Sequence, residues 1–218
     1  DSVYAHLACG YRGALLRAVD EIELGNAGED EAKRLEWLIR TGGAEALAFD
    51  VACLAGPEAA LPHGAPGDRP VLAGAVLLFD FGAQVEGYRS DMTRTLFVGE
   101  PADRDLGVYE TVAAAQAAAI DALLAAVDAG GPMPGGRAVD ALARGVIEAD
   151  GRWAPYGHGL GHGIGLATHE EPSLSRRAPE TPLPEVTVFS VEPGIYLEGE
   201  TGVRIEDLVH VDVPARTL

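Results

Sequence analysis

The 218-residue sequence is poor in cysteine, in lysine and in long apolar runs. Two cysteines, Cys9 and Cys53, cannot build a disulfide framework, and they read as buried thiols of a reducing, cytoplasmic compartment. Lys33 is the single lysine, and 34 Asp+Glu against 16 Lys+Arg give a formal charge of -18. Charge of that sign repels nucleic-acid phosphates and anionic lipid headgroups, so no nucleic acid and no membrane surface is expected as a partner. A bilayer span needs about 20 apolar residues. The two longest apolar stretches, 71–79 and 112–126, end at Asp80 or are interrupted by Gln116 and Asp121, which predicts a soluble protein. No signal peptide is visible, although the chain starts at Asp1. With 47% apolar residues, this length suits one globular domain, possibly in two halves.

Leu7, Tyr11, Leu15, Val19 and Ile22 recur at helical spacing, and Leu35, Leu38 and Ile39 do so behind Asp30, read as a helix cap. A Gly/Pro-rich stretch over 56–70 follows, then β-rich runs over 75–82 and 88–98 about the turn Val85-Glu86-Gly87. The order then recurs. Helices are predicted near 105–129 and 137–149, a Gly/His-rich loop follows, and strands at 186–197 and 202–211 flank Glu198-Gly199-Glu200. Helix, helix, strand pair, twice over, suggests duplicated halves of about 1–100 and 101–218. Strands in hairpins with helices between them predict an α+β fold, an antiparallel sheet with helices on one face.

Acids stand in the hairpins where apolar residues are expected. Asp80 and Asp91 are symmetric about the first turn, so an antiparallel pair sets them roughly opposite each other on one face. Glu192 and Glu206 are symmetric about Gly199, and alternation puts Arg204 on the face of Glu206 with Val203, Ile205 and Asp207 on the other. Like charges so close require a cation or a shared proton. Between the hairpins, His158, His162 and His169 fall within twelve residues among glycines. Imidazole beside carboxylates is a ligand set for Mn²⁺, Co²⁺, Fe²⁺ or Zn²⁺, whereas Mg²⁺ and Ca²⁺ favour oxygen alone. Four acids with one or two imidazoles suit two ions and a hydrolytic site. Competing motifs fail: the glycine run is not G-x-G-x-x-G, no Walker lysine exists, His169-Glu170 has no second His four residues on, and G-x-S-x-G is missing.

Asp80-Phe81-Gly82, Ser90-Asp91-Met92-Thr93-Arg94-Thr95, the run 158–165, Glu192-Pro193-Gly194 and Arg204-Ile205-Glu206-Asp207 together resemble the methionine aminopeptidase / prolidase / aminopeptidase P family of dinuclear metallopeptidases. The resemblance covers the chain to Asp212 and implies the pita-bread fold, a pseudo-two-fold curved antiparallel sheet with helices outside. It implies two divalent ions, Mn²⁺ first among the candidates, on Asp80, Asp91, His162, Glu192 and Glu206. Asp91 and Glu206 would bridge the ions, Asp80 would chelate one, and His162 with Glu192 would complete the other. A water acidified between them would attack the scissile carbonyl, with Glu192 as proton shuttle. By the same resemblance His63 is substrate-side, His169 polarises the carbonyl, and His158 belongs to the proline-directed branch; His6 and His210 are read as structural.

The residues around both glutamates, and His158, are similar to Xaa-Pro peptidases rather than methionine aminopeptidases, so the implied substrates are short peptides with an Xaa-Pro N-terminus. Methionine aminopeptidase activity, a peptide-binding relative without catalysis and a dinuclear phosphoesterase are the alternatives. Ser173 stands where many prolidases have a carboxylate-gripping arginine, and Arg176 or Arg177 is the candidate replacement. The expected organisation is a single catalytic domain over 1–218, without the family's usual smaller N-terminal domain, from a full-length homodimer.

Overall fold

The computed structural model describes residues 13–153, 156–214 and 218. Leu7, Tyr11, Cys9 and His6 lie outside them, so the start of the first expected helix is not described; residues 13–20 are helical. Helix α1 (Gly28–Thr41) follows. Its N-cap position is Ala27, with no side-chain cap, and Asp30 lies in the first turn beside Glu29 and Glu31. The expected cap at Asp30 is therefore corrected: its acid acts on the helix dipole from inside the first turn, as Arg40 does from the last. The helix starts as a glycine because a Cβ on Gly28 would stand 2.7 Å from the Cys53 carbonyl oxygen.

Every strand pairing is antiparallel. In the first half, β1 (Ala46–Leu47) pairs with β4 (Ala83–Val85), itself paired with β5 (Tyr88–Arg89). The neighbouring sheet runs β2 (Ala52–Ala55), β3 (Val76–Phe81), β6 (Met92–Phe97). Glu86 (φ 53°) and Gly87 (φ 80°) make the hairpin turn, with both central residues left-handed. Asp80 pairs with Thr93, not with Asp91. The expected facing pair is thus off by two residues; Asp91 stays on the face of Asp80, as its diagonal neighbour. The register is unbroken from Val76↔Phe97 to Val85↔Tyr88 and is centred between Glu86 and Gly87, which sets Asp80 opposite Thr93.

Helices α2 (Asp103–Ala129) and α3 (Gly136–Asp150) open the second half. Helix α2 is, by length and composition, apolar enough to cross a membrane despite Gln116 and Asp121. It is nonetheless a core helix of this fold. Val108, Val112, Ala115, Ala119 and Leu123 are fully buried in one cluster with Ile147, Phe189 and Val203. Gln116, in mid-helix, donates to the Val191 and Ile205 carbonyls and to Asp207.

The Gly/His-rich loop contains two strands that periodicity does not reveal, β7 (Gly161–Gly163) and β8 (Glu170–Leu174). They join β9 (Val186–Val191) and β12 (Asp207–Asp212) in the order β12-β9-β7-β8. Strands β10 (Gly194–Leu197) and β11 (Thr201–Arg204) extend the same hairpin, pairing Gly194 with Arg204 while Val191 pairs with Asp207. Both registers place Glu192 opposite Glu206.

The first half has its own core, with Leu35, Ile39, Cys53, Leu77, Phe79 and Phe81. The halves meet along β6 and β11. Thr95 Oγ1 donates to the Arg204 carbonyl at 2.9 Å, and the Glu206 N–H donates to the Thr93 carbonyl at 3.2 Å. That seam brings four acids from two hairpins to one cavity.

Candidate metal centre

The cavity measures about 610 Å³ and is lined by Asp80, Asp91, His162, Glu192 and Glu206 together with His63, His158, His169 and Arg204. All nine residues singled out from the sequence therefore border one space. His210 lies elsewhere, exposed on β12.

Asp80 reaches the cavity from β3. Its Oδ2 accepts from Arg204 Nη2 at 2.6 Å, while Oδ1 is buried with no partner among the described residues. Glu206 repeats the arrangement: Oε2 accepts from Thr93 Oγ1 at 2.7 Å, and Oε1 is buried and unpartnered. Buried carboxylate oxygens without donors are costly, by about 1–3 kcal/mol each, unless something positive meets them. Ligand atoms of Asp91, His162 and Glu206 all lie within 4.8 Å of one another.

His162 is carried at the centre of β7, where glycines on either side let the strand press on its neighbours. A Cβ on Gly161 would stand 1.9 Å from the Ser190 carbonyl oxygen, and one on Gly163 would stand 2.2 Å from that of Glu171. His162 Nδ1 is 3.0 Å from the Gly163 carbonyl, so it holds the proton. Nε2 is then a lone pair, 3.3 Å from Glu192 Oε1 and 3.8 Å from Asp91 Oδ2. A carbonyl bond that fixes the tautomer and turns the other nitrogen toward carboxylates is the usual outer support of a ligating histidine.

The electrostatics agree. Burial, then the charges of Asp80 and Glu192, holds Asp91 well above the carboxylate range. Burial, then Asp91, does the same to Glu206. Burial also raises Asp80, against the pull of Arg204, and pushes Glu192 up to about 7. Burial lowers His162. In the metal-free protein these groups are thus driven toward neutrality, the state a divalent ion reverses. The donor set, four carboxylates and one imidazole with two orphaned oxygens, fits divalent metal.

Sequence reasoning missed the groups that hold this set in place. Thr93 Oγ1 accepts from Arg204 Nε at 2.9 Å while donating to Glu206. Ser190 Oγ accepts from the His162 N–H and donates to Glu192 Oε1 at 3.0 Å. Strand alternation alone could have flagged Thr93, two residues from Asp91 on the same face. Tyr196 OH accepts from Arg204 Nη1 at 3.1 Å and lies 3.0 Å from His158 Nε2. With His158 Nδ1 bonded to the Gly159 carbonyl, and burial lowering that imidazole to about 4, the ring is neutral and takes the Tyr196 proton on Nε2. Both nitrogens of His158 are therefore engaged within the protein. The His169 ring lies against that of His162, tilted by 48° with ring centroids 4.3 Å apart. Arg176, by contrast, is exposed and paired with Glu148, and Arg177 is exposed; neither lines the cavity, so neither takes the place expected of it. Ser173 does line it, its hydroxyl 3.1 Å from that of Ser175.

The loop carrying His158 and His162 is clamped from α3. Arg144 donates to both oxygens of Asp140, to the Tyr156 carbonyl at 2.8 Å and to the His158 carbonyl at 2.9 Å. Asp140 also accepts from Tyr156 OH and the Leu160 N–H.

The chain is 37% identical over 196 residues to the Xaa-Pro dipeptidase of Pyrococcus horikoshii, and 38% to that of Pyrococcus furiosus, each alignment covering 90% of this chain. It spans about half of each relative, 54% of its length. The fold superimposes on the X-Pro aminopeptidase of Thermotoga maritima (TM-score 0.84, 40% identity, 93% of this chain and 55% of that one). It also superimposes on the prolidase of Pyrococcus furiosus (TM-score 0.86, 37% identity, 94% and 59%). At lower identity, 27%, it matches an X-prolyl aminopeptidase of Caenorhabditis elegans described as a cytosolic enzyme with a di-nuclear active site (TM-score 0.78, 93% and 35%). The α+β architecture is the pita-bread fold of such prolidases. The model of metallopeptidase family M24 matches residues 6–212, a stretch that takes in every element bordering the cavity, and the chain belongs to that family.

Proposed function

We propose that this chain is the catalytic domain of a peptidase that cleaves the bond preceding proline at peptide N-termini, using two divalent cations, Mn²⁺ first among them. The carrying observation is the pair of buried, unpartnered oxygens, Asp80 Oδ1 and Glu206 Oε1, facing the cavity of His162 Nε2. Asp80, Asp91, His162, Glu192 and Glu206 are the residues that hold the metal. When bound, the two ions supply Lewis-acid polarisation of the scissile carbonyl and acidify water.

Glu192, with Oε1 oriented by Ser190, takes a proton from the attacking water and returns it to the proline nitrogen. The imidazole of His169 contacts the developing oxyanion. A tertiary amide offers no N–H. Recognition of proline therefore depends on shape, to which His158 contributes its ring, its nitrogens being engaged by Gly159 and Tyr196. His63, on the loop after the 3₁₀ helix Gly56–Ala60, lies at the exposed rim. We place the protein in the cytoplasm and its full-length form as a homodimer, the latter checked by light scattering.

The test is a paired assay of the Mn²⁺-loaded protein on an Xaa-Pro dipeptide and an Xaa-Pro-Yaa tripeptide, with a Met-Ala peptide as control. Cleavage at proline supports the reading; turnover of neither proline peptide overturns it.

A further inference from the structure

Two arginines line the cavity, and they are in opposite states. Arg204 is committed: its three nitrogens donate to Asp80, Thr93, Tyr196 and the Pro62 carbonyl. Arg89, at the end of β5, has no ion pair among the described residues. Its two side-chain hydrogen bonds both leave from Nη1, to the Ala48 carbonyl at 2.7 Å and to Thr168 Oγ1 at 3.0 Å. Nε is buried with no partner. The unused Nε–Nη2 edge carries two parallel N–H groups, the fork a carboxylate accepts bidentately. A guanidinium on a cavity wall, held by one nitrogen and with its forked edge unpartnered among the described residues, is pre-organised for an anion.

Charge decides which anion. A short peptide enters with an ammonium at one end and a carboxylate at the other. Among the described residues lining the cavity, Arg89 is the one arginine not neutralised by a protein acid, so it is the guanidinium left for the carboxylate. The wall it occupies adjoins the reacting end, because Thr168 precedes His169, whose ring lies 4.3 Å, centroid to centroid, from that of His162.

We propose that Arg89 is a specificity-determining residue: its Nε–Nη2 edge takes the free α-carboxylate of an Xaa-Pro dipeptide, and such dipeptides are the preferred substrate class. This rests on the Xaa-Pro reading above. A carboxylate could also come from the side chain of an acidic third residue, and the test separates the two sources.

The wild-type, Arg89→Met and Arg89→Lys proteins are loaded with Mn²⁺ and assayed on Leu-Pro, Leu-Pro-NH₂ and Leu-Pro-Asp-NH₂. The ratio of kcat/KM for Leu-Pro over Leu-Pro-NH₂ is expected to fall about 10- to 100-fold in Arg89→Met, chiefly through KM, with partial recovery in Arg89→Lys. An unchanged ratio, with both substrates losing equally, makes Arg89 a mere support for Ala48 and Thr168 and overturns the proposal. Arg89 dependence of Leu-Pro-Asp-NH₂ but not of Leu-Pro overturns the dipeptide assignment. Independently of turnover, calorimetric titration is expected to show L-proline bound about tenfold more tightly than L-prolinamide by the wild type, and the preference lost in Arg89→Met. Equal binding of the two by the wild type refutes the role of Arg89. Failure of the peptidase reading has its own signature, no turnover of any Xaa-Pro peptide by the wild type.

Discussion

The Asp140–Arg144 pair on α3 makes the loop of His158 and His162 depend on a buried ion pair, and that dependence has a measurable size. Asp140 is 1% exposed and Arg144 7%. Removing one partner of a buried pair leaves the other charged and unpaired, at a cost of about 3–5 kcal/mol. For a domain of this length each kcal/mol shifts Tm by about 2–4 °C, so Asp140→Ala is expected to lower Tm by roughly 6–20 °C. Arg144→Met should cost a similar amount, since it also releases the Tyr156 and His158 carbonyls and a guanidinium that sits 4.1 Å over the Tyr156 ring. The double variant discriminates. With neither charge present, only neutral groups, the Tyr156 and His158 carbonyls, the Tyr156 hydroxyl and the Leu160 N–H, are left without their partners, so its loss should fall at least ~1.5 kcal/mol short of the sum of the singles. Urea denaturation of all four proteins gives the coupling. Additivity to within ~0.5 kcal/mol would refute the argument that these residues act as one clamp.

Metal removal and ligand loss are read directly. After incubation with Mn²⁺ the wild-type protein should retain about two ions per chain and Asp91→Ala less than one, by elemental analysis. In the metal-free protein, Glu192 has its pKa raised to about 7 by burial, above the ordinary 4.5 it recovers on unfolding. The folded state therefore binds the extra proton, so stability rises as pH falls from about 7 toward 4.5 and is flat for this group below that. Urea midpoints of chelated protein at pH 5.5 and 7.5 should show it, and Mn²⁺ should abolish the difference. A Cβ at Gly202 would lie 1.9 Å from the Ala59 carbonyl oxygen, so Gly202→Ala must part β11 from the 3₁₀ helix, at about 1–3 kcal/mol or more by thermal melting. Burial raises the Cys53 thiol far above its ordinary range, and in a Cys9→Ser background a thiol reagent should modify it only in denaturant.

Much of this site was legible because acids interrupt apolar strands. Asp80 breaks a run of buried Leu77, Leu78 and Phe79, and turn symmetry predicted the pairing of Glu192 with Glu206 that the ladder has. What stayed hidden depends on packing that alternation does not encode. Counting from the turn misplaced Asp80 and Asp91 by two residues because the two-residue turn is centred between Glu86 and Gly87, which alternation alone does not locate. Strand β7 is three residues long and exists because its glycines fit under the Ser190 and Glu171 carbonyls. Asp140 and Arg144, at i,i+4 on a helix, look like an ordinary surface pair until burial is known. Arg176 and Arg177 failed for the converse reason: proximity in sequence to Ser173 says nothing about which way an exposed loop turns its side chains.

The arrangement of arginines gives the acids their meaning. In a chain carrying -18, acids in and around the core are expected to be neutralised, and several are. Asp140 has Arg144, Asp80 has Arg204 on one oxygen, and Asp207 has Arg94, which also donates to the Glu206 carbonyl. Among the described residues Asp91 and Glu206 have no such arginine partner, yet both are over nine-tenths buried. Hydrogen bonds do not make up the difference, because Glu206 Oε1 has none. A fold under selection for stability alone would replace such acids with apolar residues, which is often neutral or favourable by about 1–4 kcal/mol. Asp91→Asn combined with Glu206→Gln should accordingly raise the Tm of the metal-free protein while abolishing metal uptake. A fall in Tm would mean that the carboxylates serve the apo fold, and the case for them as ligands kept at a cost in stability would lose its physical basis.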